Sequence, residues 1–353
     1  MNRRRIVWLV AGATSLVFVS TLTPLASQAP VGAARPWTMP RTPDGHPDLQ
    51  GNWNNGTITP IDRPTGAPAV YTEQQALRIE KGQADRVNRL AQPSDPNRTA
   101  PPKGGDGSTG AAGNVGGYNN FWIDSGDRVA IVNGERRSSL IVDPPDGRMP
   151  PLTEAAKKRA ADRVQALRTR GGEYDHPEFR PLAERCLLSF GSNAGPPMLP
   201  NYFYNNNYQI VQTKDAVLIL VEMVHDVRVI RLSGGAHPPG HLRPWMGDSI
   251  GHWDGDALVV ETTNFHPEQV FRGASDTLKV IERFTRTDAD TLLYTFTIDD
   301  PETFTRPWSG EVPFRATSDL VYEYACHEGN YALSNVLSGE RSQEREAAVK
   351  KPR

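Results

Sequence analysis

The sequence lacks an excess of charge of either sign: among 353 residues, 39 Lys and Arg stand against 41 Asp and Glu, a formal charge of −2. With no net field to attract a polyanion, no nucleic-acid partner is expected. Several enzyme signatures are missing as well. There is no H-E-x-x-H pair, no phosphate loop and no G-x-G-x-x-G after a strand, and no serine nucleophile elbow is expected. Zincins, NTPases, dinucleotide oxidoreductases and serine hydrolases are thereby disfavoured. Cysteine is scarce. Two residues, Cys186 and Cys326, are too few for a structural zinc site. Long apolar runs are confined to the first residues of the chain.

That start is sharply patterned. Arg3, Arg4 and Arg5 precede an uncharged apolar run from Ile6 to Leu22, then small residues around Ala26, Ala29, Ala33 and Ala34. This is the layout of a cleaved secretory signal peptide over residues 1–33, with cleavage after Ala29 or Ala33. A periplasmic or secreted location is expected, with no permanent membrane span after cleavage. In an oxidising compartment an even pair of cysteines reads first as a disulfide, Cys186 to Cys326.

Proline and glycine are abundant, 30 and 31 residues, which reserves many positions for turns. Residues 34–117 read as an extended Pro/Gly-rich arm with one helix. Thr72 and Gln75 form a capping box ahead of a helix from about Thr72 to Leu90. The stretch from Lys103 to Gly117 is a loop or linker without GKS or GKT. A β-rich domain, 118–353, comes next. Thr153 caps a second helix to about Thr169, whose Ala156, Ala160, Val164 and Leu167 form one face.

From Tyr208 onward the texture is β: YQIVQT, AVLILVEMV, VRVIRL, ALVVETT, TLKVIERFTR, TLLYTFTI, FTRPWSGEV and LVYEYAC, separated by turn residues. In TLLYTFTI, Leu292, Tyr294, Phe296 and Ile298 share one face and the threonines the other. The expected fold is mainly β: an antiparallel, lipocalin-like β-barrel or a β-sandwich, with one or two peripheral helices and an extended N-terminal arm.

Three places carry candidate chemistry. His237, His241 and His252 lie close in sequence, but Pro238, Pro239 and Gly240 forbid the helix that would align them, so a loop metal site is the lesser reading and no cofactor is expected. His225 and Asp226 either continue a strand, which puts His225 on an apolar wall as a general base, or form a hairpin turn and are exposed. In YEYACHEGNY, a disulfide at Cys326 would fix His327 and Glu328. Glu261 and Glu282, within apolar strand patterns, are buried carboxylates or partners of Arg272 or Arg283. The Asn-rich NYFYNNNYQ is a strand connection or a sugar-facing surface.

The segments PRTPDGHPDLQGNW, VDPPDGRMPPLT, WMGDSIGHWDGDALVVETTNF, IDDPETFTRPW and YEYACHEGNY together resemble an uncharacterised family of secreted bacterial proteins. The resemblance spans nearly the whole mature chain and implies export and one recurrent architecture, with no activity to carry over. GHWDGDALVVETT is also similar to the Gly-x-Trp opening of a lipocalin-type strand.

The leading expectation is an exported, cofactor-free hydrolase, lyase or isomerase acting by acid/base chemistry in a barrel cavity. Its substrate is a small, partly apolar molecule or glycan. His225 is the expected base, Asp226 or Asp248 its orienting or acid partner, and His327 with Glu328 a second polar group; Tyr204, Tyr208 and Trp245 line the cavity. The alternative is a periplasmic carrier that binds an apolar or glycan ligand without chemistry.

Overall fold

A computed structural model describes residues 37–91, 97, 99, 123–169, 172–189, 193–202, 204–269 and 271–350. The expected signal peptide and the glycine-rich 103–117 stretch lie outside the described residues. Among these residues, no helix is long and apolar enough to cross a membrane.

Strict alternation builds the main sheet. Among the described residues thirteen strands occur in chain order: β1 (Gly51–Asn54), β2 (Val70–Tyr71), β3 (Ile131–Val132), β4 (Glu135–Arg137), β5 (Ile141–Asp143), β6 (Asn207–Gln212), β7 (Ala216–Val221), β8 (Val227–Arg231), β9 (Asp248–Asp254), β10 (Ala257–Thr263), β11 (Lys279–Arg286), β12 (Thr291–Asp299) and β13 (Trp308–Ala316). The sheet runs β1-β6-β7-β8-β9-β10-β11-β12-β13, and β13 pairs back with β1 through Trp53↔Ala316 and Asn54↔Arg315. The result is a closed nine-stranded barrel. Every neighbouring pair is antiparallel except β8 and β9, which run parallel with Ile230 opposite Ser249. The expected barrel is thus present but mixed. A parallel pair needs a crossover, and residues 232–247 supply it along the outer wall, where His237 meets Asp248 and Glu261.

β1 belongs to the segment expected to be an arm; it is a stave of the barrel because Trp53, fully buried, supplies the large apolar face that closes the ring. β5 extends along β13 beyond β1. Pro313 sits on that edge between the two, where a missing N–H interrupts no ladder. β2, β4 and β3 form a separate small sheet.

Among the described residues, three α-helices lie outside the barrel. α1 (Glu73–Leu90) has the expected capping box, with Thr72 and Gln75 bonding each other's backbone N–H. α2 (Glu154–Thr169) is capped by Thr153, but only Ala156 of its expected apolar face is buried, and Val164 and Leu167 stay exposed. α3 (Ala332–Lys350) is a helix that the sequence pattern does not predict, and LVYEYAC is extended chain rather than a strand.

The lumen is full. Trp53, Tyr208, Phe284, Tyr294, Phe296 and Phe314 are almost wholly buried, each worth about 1.5–3 kcal/mol of burial. Gly310 makes room for them: a Cβ there would lie 2.5 Å from the Phe296 ring. Residues 193–202, nearly all buried, pack with the same core, and the Met198 N–H donates to the Tyr294 hydroxyl at 2.9 Å. The lipocalin-like central cavity is therefore replaced by packed side chains.

Among them sits one ion pair. Arg228 (3% exposed) donates to both oxygens of Glu282 (0% exposed), from Nη1 at 2.8 Å and from Nη2. Two more of its five donors are used: Nε on Ser249 Oγ at 3.0 Å and Nη2 on Thr262 Oγ1 at 2.7 Å. The Tyr294 hydroxyl donates to Glu282 Oε1 at 2.9 Å. Neither Arg272 nor Arg283, the partners expected for Glu261 and Glu282, takes that place; Arg283 faces Asp254, and Glu261 faces Lys279. Glu282→Gln leaves the Arg228 charge without its counter-ion, so it should lower stability by about 3–5 kcal/mol in urea unfolding. Joint replacement, Arg228→Met with Glu282→Leu, should recover most of that loss. A single variant as stable as wild type would show that the pair does not hold the core.

Candidate functional site

With rings packed in the lumen, a polar recess built on the barrel wall lies at one barrel end. It is a cleft of about 810 Å³ bounded by the start of β6, the β7–β8 turn and the extended segment 319–326. Glu222, the residue after β7, forms its floor and is 3% exposed. Its Oε2 accepts the Asn207 N–H at 3.3 Å and its Oε1 accepts the Tyr322 N–H at 3.2 Å. One carboxylate thus joins two walls.

The first wall is built from amides. Asn54 at the end of β1 donates from Nδ2 to Asn207 Oδ1 at 2.8 Å and to Asp124 Oδ2 at 3.0 Å. Asp124 is fixed by its own turn, where Oδ1 accepts the Gly126 N–H at 3.2 Å. Gly126 has φ +81°, and a Cβ there would lie 2.5 Å from the Thr57 backbone, so only glycine closes this turn. Asn206 Nδ2 donates to the Asp124 carbonyl at 2.5 Å, which ties the turn to the NYFYNNNYQ segment.

The opposite wall is pinned at three points. Glu222 holds the Tyr322 N–H, His225 Nδ1 lies 2.9 Å from the Tyr324 carbonyl, and Cys326 forms the disulfide with Cys186. A carbonyl only accepts, so Nδ1–H is the donor in this bond. The disulfide closes 140 residues of chain, worth up to about 5 kcal/mol on the chain-entropy estimate. Replacing both cysteines by serine should cost about 2–5 kcal/mol and speed hydrogen exchange at the Tyr322 amide. If stability and exchange both stay at wild-type values, the disulfide does not hold this wall.

The expected site residues are scattered. Tyr204 lines the cleft. Tyr208 does not reach it: the ring is fully buried, Asn55 Nδ2 donates to its hydroxyl at 3.4 Å, and burial pushes that hydroxyl well above the usual tyrosine range. His225 sits in the β7–β8 turn and is exposed, so the straight strand that would set it on an apolar wall is not formed. Val224 and His225 both have left-handed backbone, φ 70° and 54°, which ends β7 and reverses the facing of β8. Trp245 packs tilted against His266, ring centroids 3.7 Å apart, away from the cleft lining.

Asp248 lies on the outer wall, 2.7 Å from Arg231 Nη2 and 2.6 Å from His237 Nδ1. His327 and Glu328 are exposed, and His327 borders a different recess of about 400 Å³. His237, His241 and His252 do not converge at ligand distance; the group that does, among the described residues, is Asp175, Glu340 and Glu344, of which Asp175 and Glu344 pair with Arg341. Gly247 to Gly251 carries the G-x-S-x-G spacing after all, yet Ser249 is a buried strand residue bonded to Arg228 and Thr262, not an exposed nucleophile.

Glu222, Asp124, Asn54, Asn207, Asp319 and Glu323 form no local motif that marks them as site residues in the sequence. The signal available is the Asn-rich run, three of whose residues, Asn205, Asn206 and Asn207, line the cleft. No protein-family model matches the chain, and no curated protein or solved structure does.

Burial raises the Asp226 carboxyl above its ordinary range, with the His225 charge opposing in smaller measure. The folded state therefore favours protonated Asp226. Its contribution is present below the unfolded value of about 3.9 and is lost as pH rises through the raised folded value. Asp226→Asn should accordingly raise the urea midpoint at about pH 7 and leave it unchanged at about pH 3. A midpoint gain of equal size at both pH values would refute this assignment.

Proposed function

We propose that the chain is an exported protein whose barrel-end cleft binds a hydroxyl-rich small molecule, of the saccharide class. The observation that carries this reading is the lining itself: Asn205 and Asn207 amides beside the Glu222 and Asp124 carboxylates, with Tyr204, Tyr322 and Tyr324 around them. Amides and carboxylates match the donors and acceptors of hydroxyl groups, and tyrosine rings offer flat apolar faces to a pyranose. The Arg-rich, apolar start of the sequence and the disulfide both support export, as does the resemblance to secreted bacterial proteins.

Carrier function leads because the residues first expected to do chemistry do not meet: His225 lies outside the lining and His327 borders another recess. A second reading, an acid/base enzyme, is favoured by one observation. Glu222 and Asp124 are two carboxylates in one cleft, the pairing that glycoside hydrolysis uses.

Calorimetric titration with a panel of neutral and aminated mono- and disaccharides tests both. At least one should bind with a Kd of about 1 mM or tighter, and Asn207→Ala should weaken it about tenfold. No binding across the panel, or no effect of Asn207→Ala, would sink the assignment. NMR of the recovered saccharide separates the readings. An intact ligand identifies a carrier, whereas cleavage that Glu222→Gln abolishes while keeping affinity identifies an enzyme.

A further inference from the structure

The charge of the cleft is one-sided. Asp124, Glu222, Asp319 and Glu323 all line it, and among the described residues no Lys, Arg or His does. The whole chain is nearly balanced at −2, so the imbalance is local. Elsewhere carboxylates are routinely matched, as Asp143 by Arg306, Asp127 by Arg315 and Asp248 by Arg231. None of the four cleft carboxylates has an ion-pair partner among the described residues. Like charges gathered in a recess repel each other, and the field between low-dielectric walls is focused on whatever enters.

Two further features accompany the charge. Tyr322 is 62% exposed at the cleft, and an aromatic face there attracts a cation through its quadrupole. Asn207 Oδ1 is taken by Asn54, while its Nδ2 has no hydrogen-bond acceptor among the described residues, so this donor is open to a ligand oxygen. Negative charge, an aromatic face and a free amide donor together select a molecule that carries both a cation and hydroxyl groups.

Resting on the saccharide-binding reading above, we infer that the ligand is an amino sugar whose ammonium group is held by the cleft carboxylates. Asp319 and Glu323 are exposed and attract the cation at the rim. Asp124, also exposed, and Glu222, buried at the base of the cleft, each already hold N–H donors and receive it.

The test compares two disaccharides that share a scaffold, cellobiose and the β-1,4-linked dimer of glucosamine, by calorimetric titration of the mature protein at about pH 6, where the amine is charged. The glucosamine dimer should bind at least about tenfold tighter than cellobiose. Asp319→Asn with Glu323→Gln, two exposed positions whose replacement leaves the fold intact, should narrow that gap to about threefold. Equal affinity for the two sugars in the wild type overturns the cation inference and leaves saccharide binding standing. No binding of either overturns both. A gap that persists unchanged in the Asp319→Asn, Glu323→Gln protein and in Glu222→Gln also overturns it, because the preference then does not arise from these carboxylates.

Discussion

The barrel is organised around a charge that it has taken out of water. Arg228 brings a guanidinium into the lumen from β8, and the cost of its desolvation is offset only by a counter-ion and acceptors for its donors. Glu282 of β11, Ser249 of β9 and Thr262 of β10 provide those acceptors, so one side chain spans four consecutive strands. Tyr294 of β12 bonds Glu282 and extends the network to a fifth. A shift of one residue in any of these strands would turn its polar member outward and leave the others unsatisfied. The network therefore specifies register where the apolar residues, which tolerate exchange among themselves, specify it less sharply. It also spans the β8–β9 pair, the one parallel contact in the ring, which has few ladder bonds of its own.

The same network reaches the cleft. Tyr294 accepts the Met198 N–H, and the Met198 carbonyl accepts Asn55 Nδ2 at 3.4 Å. The Asn55 N–H donates to the Asn206 carbonyl, and the Asn206 side chain bonds both the Asn201 N–H and the Asp124 carbonyl. A chain of hydrogen bonds thus runs from the core ion pair through the 193–202 segment to the amide wall. Filling the lumen with rings and then covering it with this segment removes the central cavity that a barrel of this size otherwise offers to a ligand. Polar groups that cannot be buried collect at the end of the barrel, and the recess forms there.

How far this architecture is legible in the sequence depends on whether neighbours along the chain decide the structure. TLLYTFTI shows its facing because both faces obey the period, and Thr72 with Gln75 fixes a helix start within one turn. VRVIR misleads. Its apolar valines predict an inward Val227 and Val229, but both are about half exposed while Arg228 faces in, because the left-handed turn at Val224 and His225 shifts the phase. The counter-ion that Arg228 meets inside, Glu282, lies 54 residues away. β9 hides behind Gly251 and the histidines that suggest a metal, although Gly251 is required because a Cβ would lie 2.7 Å from Ile230. Residues 51–54 read as part of a proline-rich arm because their partners, β6 and β13, are more than 150 residues away. The cleft is hardest to read for the same reason: its carboxylates come from positions 124, 222, 319 and 323, and no local spacing connects them.

The wall from 319 to 326 shows how a segment without a sheet of its own can still be held in shape. Its three anchors fall at Tyr322, Tyr324 and Cys326, two residues apart, the interval at which an extended chain repeats its facing. One anchor uses an N–H, the next a carbonyl and the third a covalent bond, so the restraint does not depend on a continuous ladder. Two of these anchors arise from the β7–β8 turn, Glu222 and His225, and the left-handed conformations at Val224 and His225 project them toward the segment. The strain of a β-branched residue at φ 70°, of order 1–3 kcal/mol, is thus spent where the turn must present a carboxylate and an imidazole to one passing chain. The third anchor lies outside the barrel and requires an oxidised pair of cysteines. The shape of the cleft is in this way coupled to its redox surroundings: the wall that carries Tyr322 and Glu323 is fully restrained only where the disulfide persists.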